Sequence, residues 1–175
     1  MTLLLIGCIG TNPDSSIDSP VDSDPGEGPD LSTLTRNGGC SDLVLTQGSE
    51  DDSLILIFAY TEGLAQQAFE AEDKTASATL DLASEGSLEL WQGNRVTAIV
   101  CNDALDGSEV VETAWTVASG TAAISVVSDG TSEPWGEYPG DATVTLTDVV
   151  LESPDAPDIS IPSRTWSAGV GWLPG

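Results

Sequence analysis

Three runs between Val111 and Leu151 decide the fold. They are Val111-Glu112-Thr113-Ala114-Trp115-Thr116-Val117, Ala122-Ala123-Ile124-Ser125-Val126, and Ala142-Thr143-Val144-Thr145-Leu146-Thr147-Asp148-Val149-Val150-Leu151. Large apolar residues recur at every second position. That period sets one face of a strand against a core and the other in water. Ser119-Gly120 separates the first two runs and predicts a hairpin, and Asp129-Gly130 marks the next turn. In the third run the apolar parity moves from Ala142, Val144 and Leu146 to Val149 and Leu151, which predicts a β-bulge near Asp148.

The same reading extends in both directions. Leu43–Thr46 is a short strand, and Leu54–Tyr60 is apolar on both faces, as a central strand is. Ala76, Ala78, Leu80 and Leu82 alternate with polar residues, Leu88 and Leu90 continue the habit, and Val96–Cys101 is another apolar run. Trp166, Ala168, Val170 and Trp172 close the series. Only Leu64–Glu72 has helical spacing. The expected fold is all-β: an antiparallel β-sandwich of about eight or nine strands over residues 39–175, immunoglobulin-like in architecture, with one short helix at most.

Residues before Gly39 read differently. Thr11–Asp30 is built mostly from Asp, Ser, Pro and Gly, which bury too little apolar surface to offset chain entropy. The reading divides the chain into a short apolar remnant at 1–7, a disordered tether at 8–38 and the β domain at 39–175. Leu5-Ile6-Gly7-Cys8 resembles the lipobox of bacterial lipoproteins, whose cysteine is acylated after the leader is removed. The resemblance implies lipidation at Cys8, an exported protein and a membrane partner reached through the lipid. Ile9, where retained lipoproteins carry Asp, implies the outer membrane, facing periplasm or cell surface. A signal peptide needs roughly 15–30 residues, so residues 1–7 are expected to be the end of a longer leader. Further resemblance, to a group of bacterial lipoprotein β-domains with no assigned catalytic residue, rests on Cys101-Asn102-Asp103, Trp115 with Ser119-Gly120-Thr121, and Ala142-x-Val144-x-Leu146-x-Asp148-Val149.

Composition excludes several functions. The chain has 29 acidic and 4 basic residues, a formal charge of −25. Nucleic-acid affinity comes from Lys and Arg displacing counterions, so no nucleic-acid partner is expected. There is no histidine, the commonest general base and metal ligand, and no Gly-x-Ser-x-Gly turn. No enzyme activity is therefore expected. A small hydrolase built on a carboxylate pair is the weakest alternative, since an acid-rich chain yields such pairs by chance.

Three groups of residues remain as candidates. With Cys8 acylated, Cys40 and Cys101 are left to form a disulfide in an oxidising compartment. Asn102, Asp103, Asp106 and Glu109 gather oxygen ligands around Gly107 and make a calcium loop an alternative to plain solvated acids; no other cofactor is expected. Glu133, Trp135, Glu137 and Tyr138 lie in one loop and could present flat rings and oxygens to a glycan, with burial of Trp135 as the competing reading. The leading expectation is a non-enzymatic binding or structural module for a glycan or protein ligand. A carbohydrate-binding module is its sharper variant.

Overall fold

Period-two alternation becomes a single antiparallel sheet that curls until its ends meet. The computed structural model describes residues 28–102, 104–134 and 137–172. Its strands are β1 (Leu34–Cys40), β2 (Val44–Ser49), β3 (Leu54–Ala59), β4 (Thr75–Asp81), β5 (Ser87–Asn94), β6 (Val110–Ser128), β7 (Gly140–Glu152) and β8 (Ile159–Val170). One helix, α1 (Leu64–Glu70), joins β3 to β4. The hydrogen-bonded order is β1-β2-β3-β5-β6-β7-β8, with β4 on the far half of β6. This is the expected all-β antiparallel fold with one short helix. Its path is a meander with one excursion, β4, and not the Greek key of immunoglobulin domains.

The two ends of the sheet close on each other at Ser41, whose N–H donates to the Trp172 carbonyl at 2.8 Å and whose carbonyl accepts from Gly171 N–H at 2.5 Å. Farther along the seam Arg164 of β8 reaches across. Its guanidinium donates to Gln47 Oε1 at 2.5 Å and to the Leu31 and Leu34 carbonyls at 3.1 and 2.9 Å. Burial lowers the pKa of this arginine. The curled sheet encloses Leu45, Leu56, Phe58, Leu88, Leu90, Trp115, Val144, Leu146 and Leu151, all at most 1% exposed. α1 adds Leu64, Ala65 and Ala68 to the same core.

Four local readings are corrected. Ser119-Gly120 is not a hairpin turn: β6 runs unbroken from Val110 to Ser128, and its register with β7 shifts on both sides of Ser119. The apolar parity shifts there just as it does at Asp148, whose φ is +50°. The bulge expected at Asp148 and the supposed hairpin are thus one bend line crossing adjacent strands. Gly120 is needed on it, because its φ is +123° and a Cβ there would come within 2.6 Å of Val149 Cα. Second, Val96–Cys101 is not a strand. Arg95 takes a left-handed φ of +53°, and a 3-10 turn at Val96–Ala98 follows.

Third, the boundary at residue 38/39 falls inside β1, and a 3-10 turn at Leu31–Thr33 precedes that strand. Thr35, Arg36 and Asn37 read as tether because β1 exposes them and buries only Leu34 at its start and Gly39 and Cys40 at its end. Gly39 allows β8 to approach, since a Cβ there would lie 2.4 Å from the Gly169 carbonyl oxygen. Fourth, Cys101 does not close a strand but lies beyond the 3-10 turn. Residues 1–27, including Cys8, lie outside the described residues.

Candidate functional site

Of the aromatic loop's two rings, the described one, Tyr138, is packed rather than presented. Glu133 N–H donates to the Glu137 carbonyl at 2.9 Å and pins the loop base. Tyr138 is half-buried, with its ring 5.1 Å from that of Phe69 at an interplanar angle of 40°. The Lys74 ammonium sits 4.9 Å from the Phe69 centroid. Tyr138 is therefore a packing piece against α1 rather than a free stacking platform. Glu133 and Glu137 are half-buried beside it, and Trp135 lies outside the described residues.

In the loop for which calcium was the alternative reading, Asn102, Asp106 and Glu109 already have partners for their oxygens. Asp106 Oδ2 accepts from Arg95 at 2.7 Å, and its Oδ1 accepts from Ser108 N–H at 3.0 Å. The Ser108 and Arg95 bonds hold the Asp106 carboxyl well below its usual range. Glu109 accepts from Gly107 N–H at 2.9 Å and faces Arg95 at 4.0 Å. Asn102 Oδ1 accepts from Ala104 N–H at 3.0 Å. Asp103 lies outside the described residues. The arrangement is an arginine-centred turn. Among the described residues no three acids or cysteines gather as a metal group.

Cys40 and Cys101 form the expected disulfide, with Cα atoms 5.7 Å apart. It pins residues 95–102 across the outer face of β2, β3 and β5. That face is apolar because β3 alternates Leu54, Leu56 and Phe58 inward with Ile55, Ile57 and Ala59 outward. Ile55 and Val96 are 2% and 0% exposed, yet neither belongs to the central core. Together with Thr97, which lies over Gly48, they make a small outer core under the crossing segment. Its root is clasped by Asp52, which accepts from Arg36 and Thr97 side chains while its carbonyl takes Val96 N–H at 2.9 Å.

A groove of about 430 Å³ remains where the crossing segment stops short of the sheet edge. Its floor is Val44, Ile57 and Trp91, and its wall is Ile99, Val100 and the disulfide. Glu89 and Asn102 supply oxygens. The Trp91 indole is fixed, because Nε1 donates to Glu89 Oε2 at 2.8 Å. No family model, curated protein or solved structure matches the chain. The groove was missed in the sequence although its signal was present: buried Leu88 and Leu90 set the parity of β5, and that parity turns Trp91 outward.

The opposite outer face has a different chemistry. Register across β4, β6, β7 and β8 aligns Ser77, Ser125, Thr143 and Ser167 in one row. Thr79, Ala123, Thr145 and Thr165 form the next. Seven of these eight positions carry a hydroxyl and none is charged, in a chain of net charge −25. Cross-strand pairs bond directly: Thr143 to Ser167 at 2.7 Å and Thr145 to Thr165 at 3.0 Å.

Proposed function

We propose that this chain is a non-enzymatic binding or structural module, exported and held at the outer membrane by a lipid on Cys8, and that it meets its ligand in the groove around Trp91. The observation that carries this reading is the groove itself: an apolar floor with one fixed indole and oxygens at its rim. Such a surface suits a ligand with an apolar face and hydroxyl edges, and a neutral glycan is the sharper form of the proposal. The disulfide supports export, because such bonds persist outside the reducing cytosol. The lipobox resemblance supports the anchor. A chain without histidine supports a role without acid–base catalysis.

A glycan array on the purified protein tests the ligand. Binding should disappear in Trp91→Ala and survive in Tyr138→Ala. Absence of any glycan signal, or equal loss in both variants, removes the carbohydrate form. Fatty-acid labelling in cells should mark the wild type and not Cys8→Ser, and equal labelling of the two removes the anchor.

A further inference from the structure

We propose that β4 is a docking edge for an extended cationic peptide, which joins the sheet as an added strand and places a Lys or Arg in the acidic cavity at the end of β4. The ladder between β4 and β6 leaves that edge open. Ser128 N–H donates to the Lys74 carbonyl at 2.9 Å, and Leu82 N–H to the Gly120 carbonyl at 3.0 Å. Both pairs share the register that joins Ala76 to Val126 and Ala78 to Ile124. Antiparallel pairing alternates, so the even residues of β4 bond β6 while Thr75, Ser77, Thr79 and Asp81 turn their N–H and C=O groups away from it. Among the described residues nothing bonds the outward groups of Ser77 and Thr79, and both residues are exposed. Proteins usually guard such an edge with Lys, Pro, a bulge or an inward charge, and Thr75–Leu80 carries none of these. Lys74, the chain's one lysine, is turned away: its ammonium bonds the Phe69 carbonyl and sits 4.9 Å from the Phe69 centroid.

Charge selects the occupant. The edge is neutral from Thr75 to Leu80, with Asp73 before it and Asp81 and Glu85 after it. These carboxylates are fixed at its ends: Asp73 Oδ1 accepts from Thr75 N–H and Glu85 Oε2 from Asp81 N–H, both at 3.2 Å. Beyond Asp81 the β4–β5 turn forms one wall of a cavity of about 620 Å³, with Ser84, Glu85 and Ser87. Tyr60 and Glu62, between β3 and α1, form the other. Glu85 belongs to both features, since its N–H also donates to the Asp81 carbonyl at 2.8 Å. Burial and then the charges of Glu62 and Glu85 raise the Tyr60 pKa, so both carboxylates bear on one phenol. Among the described residues neither carboxylate has an ion-pair partner. A phenol ring flanked by two free carboxylates suits an ammonium or guanidinium. A strand with an uncharged centre and Lys or Arg at its ends therefore fits this edge, whereas an acidic strand is repelled. Main-chain bonds to Ser77 and Thr79 supply the attachment, and the cavity supplies the preference for a cation.

The test is fluorescence anisotropy of a labelled synthetic peptide, Lys-Ala-Thr-Val-Thr-Val-Thr-Ala-Lys, with the 175-residue chain carrying Cys8→Ser. The peptide should bind, and raising salt from about 0.1 M to about 1 M, which shortens the screening length from about 10 to about 3 Å, should weaken it about tenfold. The same peptide N-methylated at its five central residues keeps its charge but loses its N–H donors, and should bind at least about tenfold more weakly. A version with Glu in place of both Lys should not bind. Glu62→Gln with Glu85→Gln should weaken the Lys peptide by roughly threefold to tenfold. Proline at 77 removes an N–H that β6 does not use, so Ser77→Pro should stay folded and lose binding. Trp91→Ala should bind as the parent does, which separates this edge from the groove proposed above. Amide exchange of the parent decides the matter if the proline variant fails to fold: saturating peptide should protect Ser77 and Thr79. No binding by the Lys peptide, equal binding of the N-methylated peptide, binding that survives Ser77→Pro or is lost in Trp91→Ala, or unchanged exchange at Ser77 and Thr79 overturns the proposal.

Discussion

The outer face of β4, β6, β7 and β8 carries two rows made almost wholly of Thr and Ser in register, whereas the outer face of β2, β3 and β5 centres on Val44, Ile55, Ile57 and Trp91. The first face needs no cover. Its hydroxyls bond each other and water, and its β-branched residues suit the pleat. The second face would cost free energy if left open, and the chain covers it with residues 95–102, a segment with little regular structure of its own. Covalent attachment through Cys40–Cys101 stands in for the ladder bonds that this segment lacks. One face is thus stabilised by the periodicity of its strands, the other by a cross-link and a clasp at Asp52. The groove around Trp91 exists because that cover is incomplete.

The largest expected effect tests the cross-link. Replacing both Cys40 and Cys101 by Ser opens a loop spanning a sequence separation of 61. A loop of that size corresponds to about 4 kcal/mol in the chain-entropy account. Urea unfolding should show a loss of that order. Amide exchange should rise first at residues 95–102, with the Thr and Ser face still protected. Uniform deprotection of both faces would break the contrast.

Next is a matched pair of truncations. Ile55→Ala removes a side chain that is 2% exposed beneath the crossing segment and should cost about 2–4 kcal/mol. Thr145→Ala removes one hydroxyl partner on the other face and should cost about 0.2–1 kcal/mol. Equal losses in denaturant midpoints would mean that the crossing segment does not seal a core of its own.

Much of this contrast was legible in the sequence. Strict alternation in Ala142–Thr147 and Ala122–Val126 gave the polar face and the core beneath it. Leu54–Tyr60, apolar at every outward and inward position, announced a strand that needs cover on both sides. Yet Val96–Cys101, the cover itself, has the composition of a strand, and nothing local says that it lies across others. The beginning of β1 was hidden for the opposite reason: an edge whose central side chains are exposed looks like a tether. Asp106 and Glu109 looked like ion ligands because their partner, Arg95, lies 11 residues before Asp106. The Ser119-Gly120 step has the look of a turn because glycine with a positive φ serves a hairpin and a mid-strand bend equally well.

That bend gives the third prediction. Gly120→Ala places a Cβ against the Val149 backbone at a φ of +123°. It should cost at least about 1–3 kcal/mol, measured by thermal and urea unfolding. Because the bend line shapes β6 and β7, the loss should be accompanied by faster exchange across the hydroxyl face and not under the disulfide. Gly107→Ala, in a turn with nothing within 4 Å of the added Cβ, pays only for its positive φ and should cost less. A hairpin at Ser119-Gly120 would instead make the two substitutions alike.

The smallest effect concerns acid, and it falls on the covered side. Asp51 sits in the turn between β2 and β3, where it accepts from Ser49 Oγ at 2.6 Å and from Ser53 Oγ at 2.8 Å. These bonds, Ser49 foremost, lower its pKa from 3.8 to about 2. Asp52 beside it is also lowered, chiefly by the Thr97 hydroxyl that it shares with the crossing segment and then by Arg36. A depressed folded pKa contributes stability that is complete above the unfolded value and is lost as pH falls through the folded one. The clasp should therefore loosen between about pH 4 and pH 2, with exchange rising at residues 95–102. Asp42, at the start of the same strand pair, has the opposite sign. Burial raises its pKa, so its contribution is present in acid and fades as pH rises. Asp51→Asn keeps an acceptor for Ser49 while abolishing titration, and should flatten the acid limb of the stability curve. Asp42→Asn should instead raise stability near neutral pH and leave the acid limb in place. If Asp51→Asn leaves the slope below pH 4 unchanged, the acid response originates elsewhere than this turn.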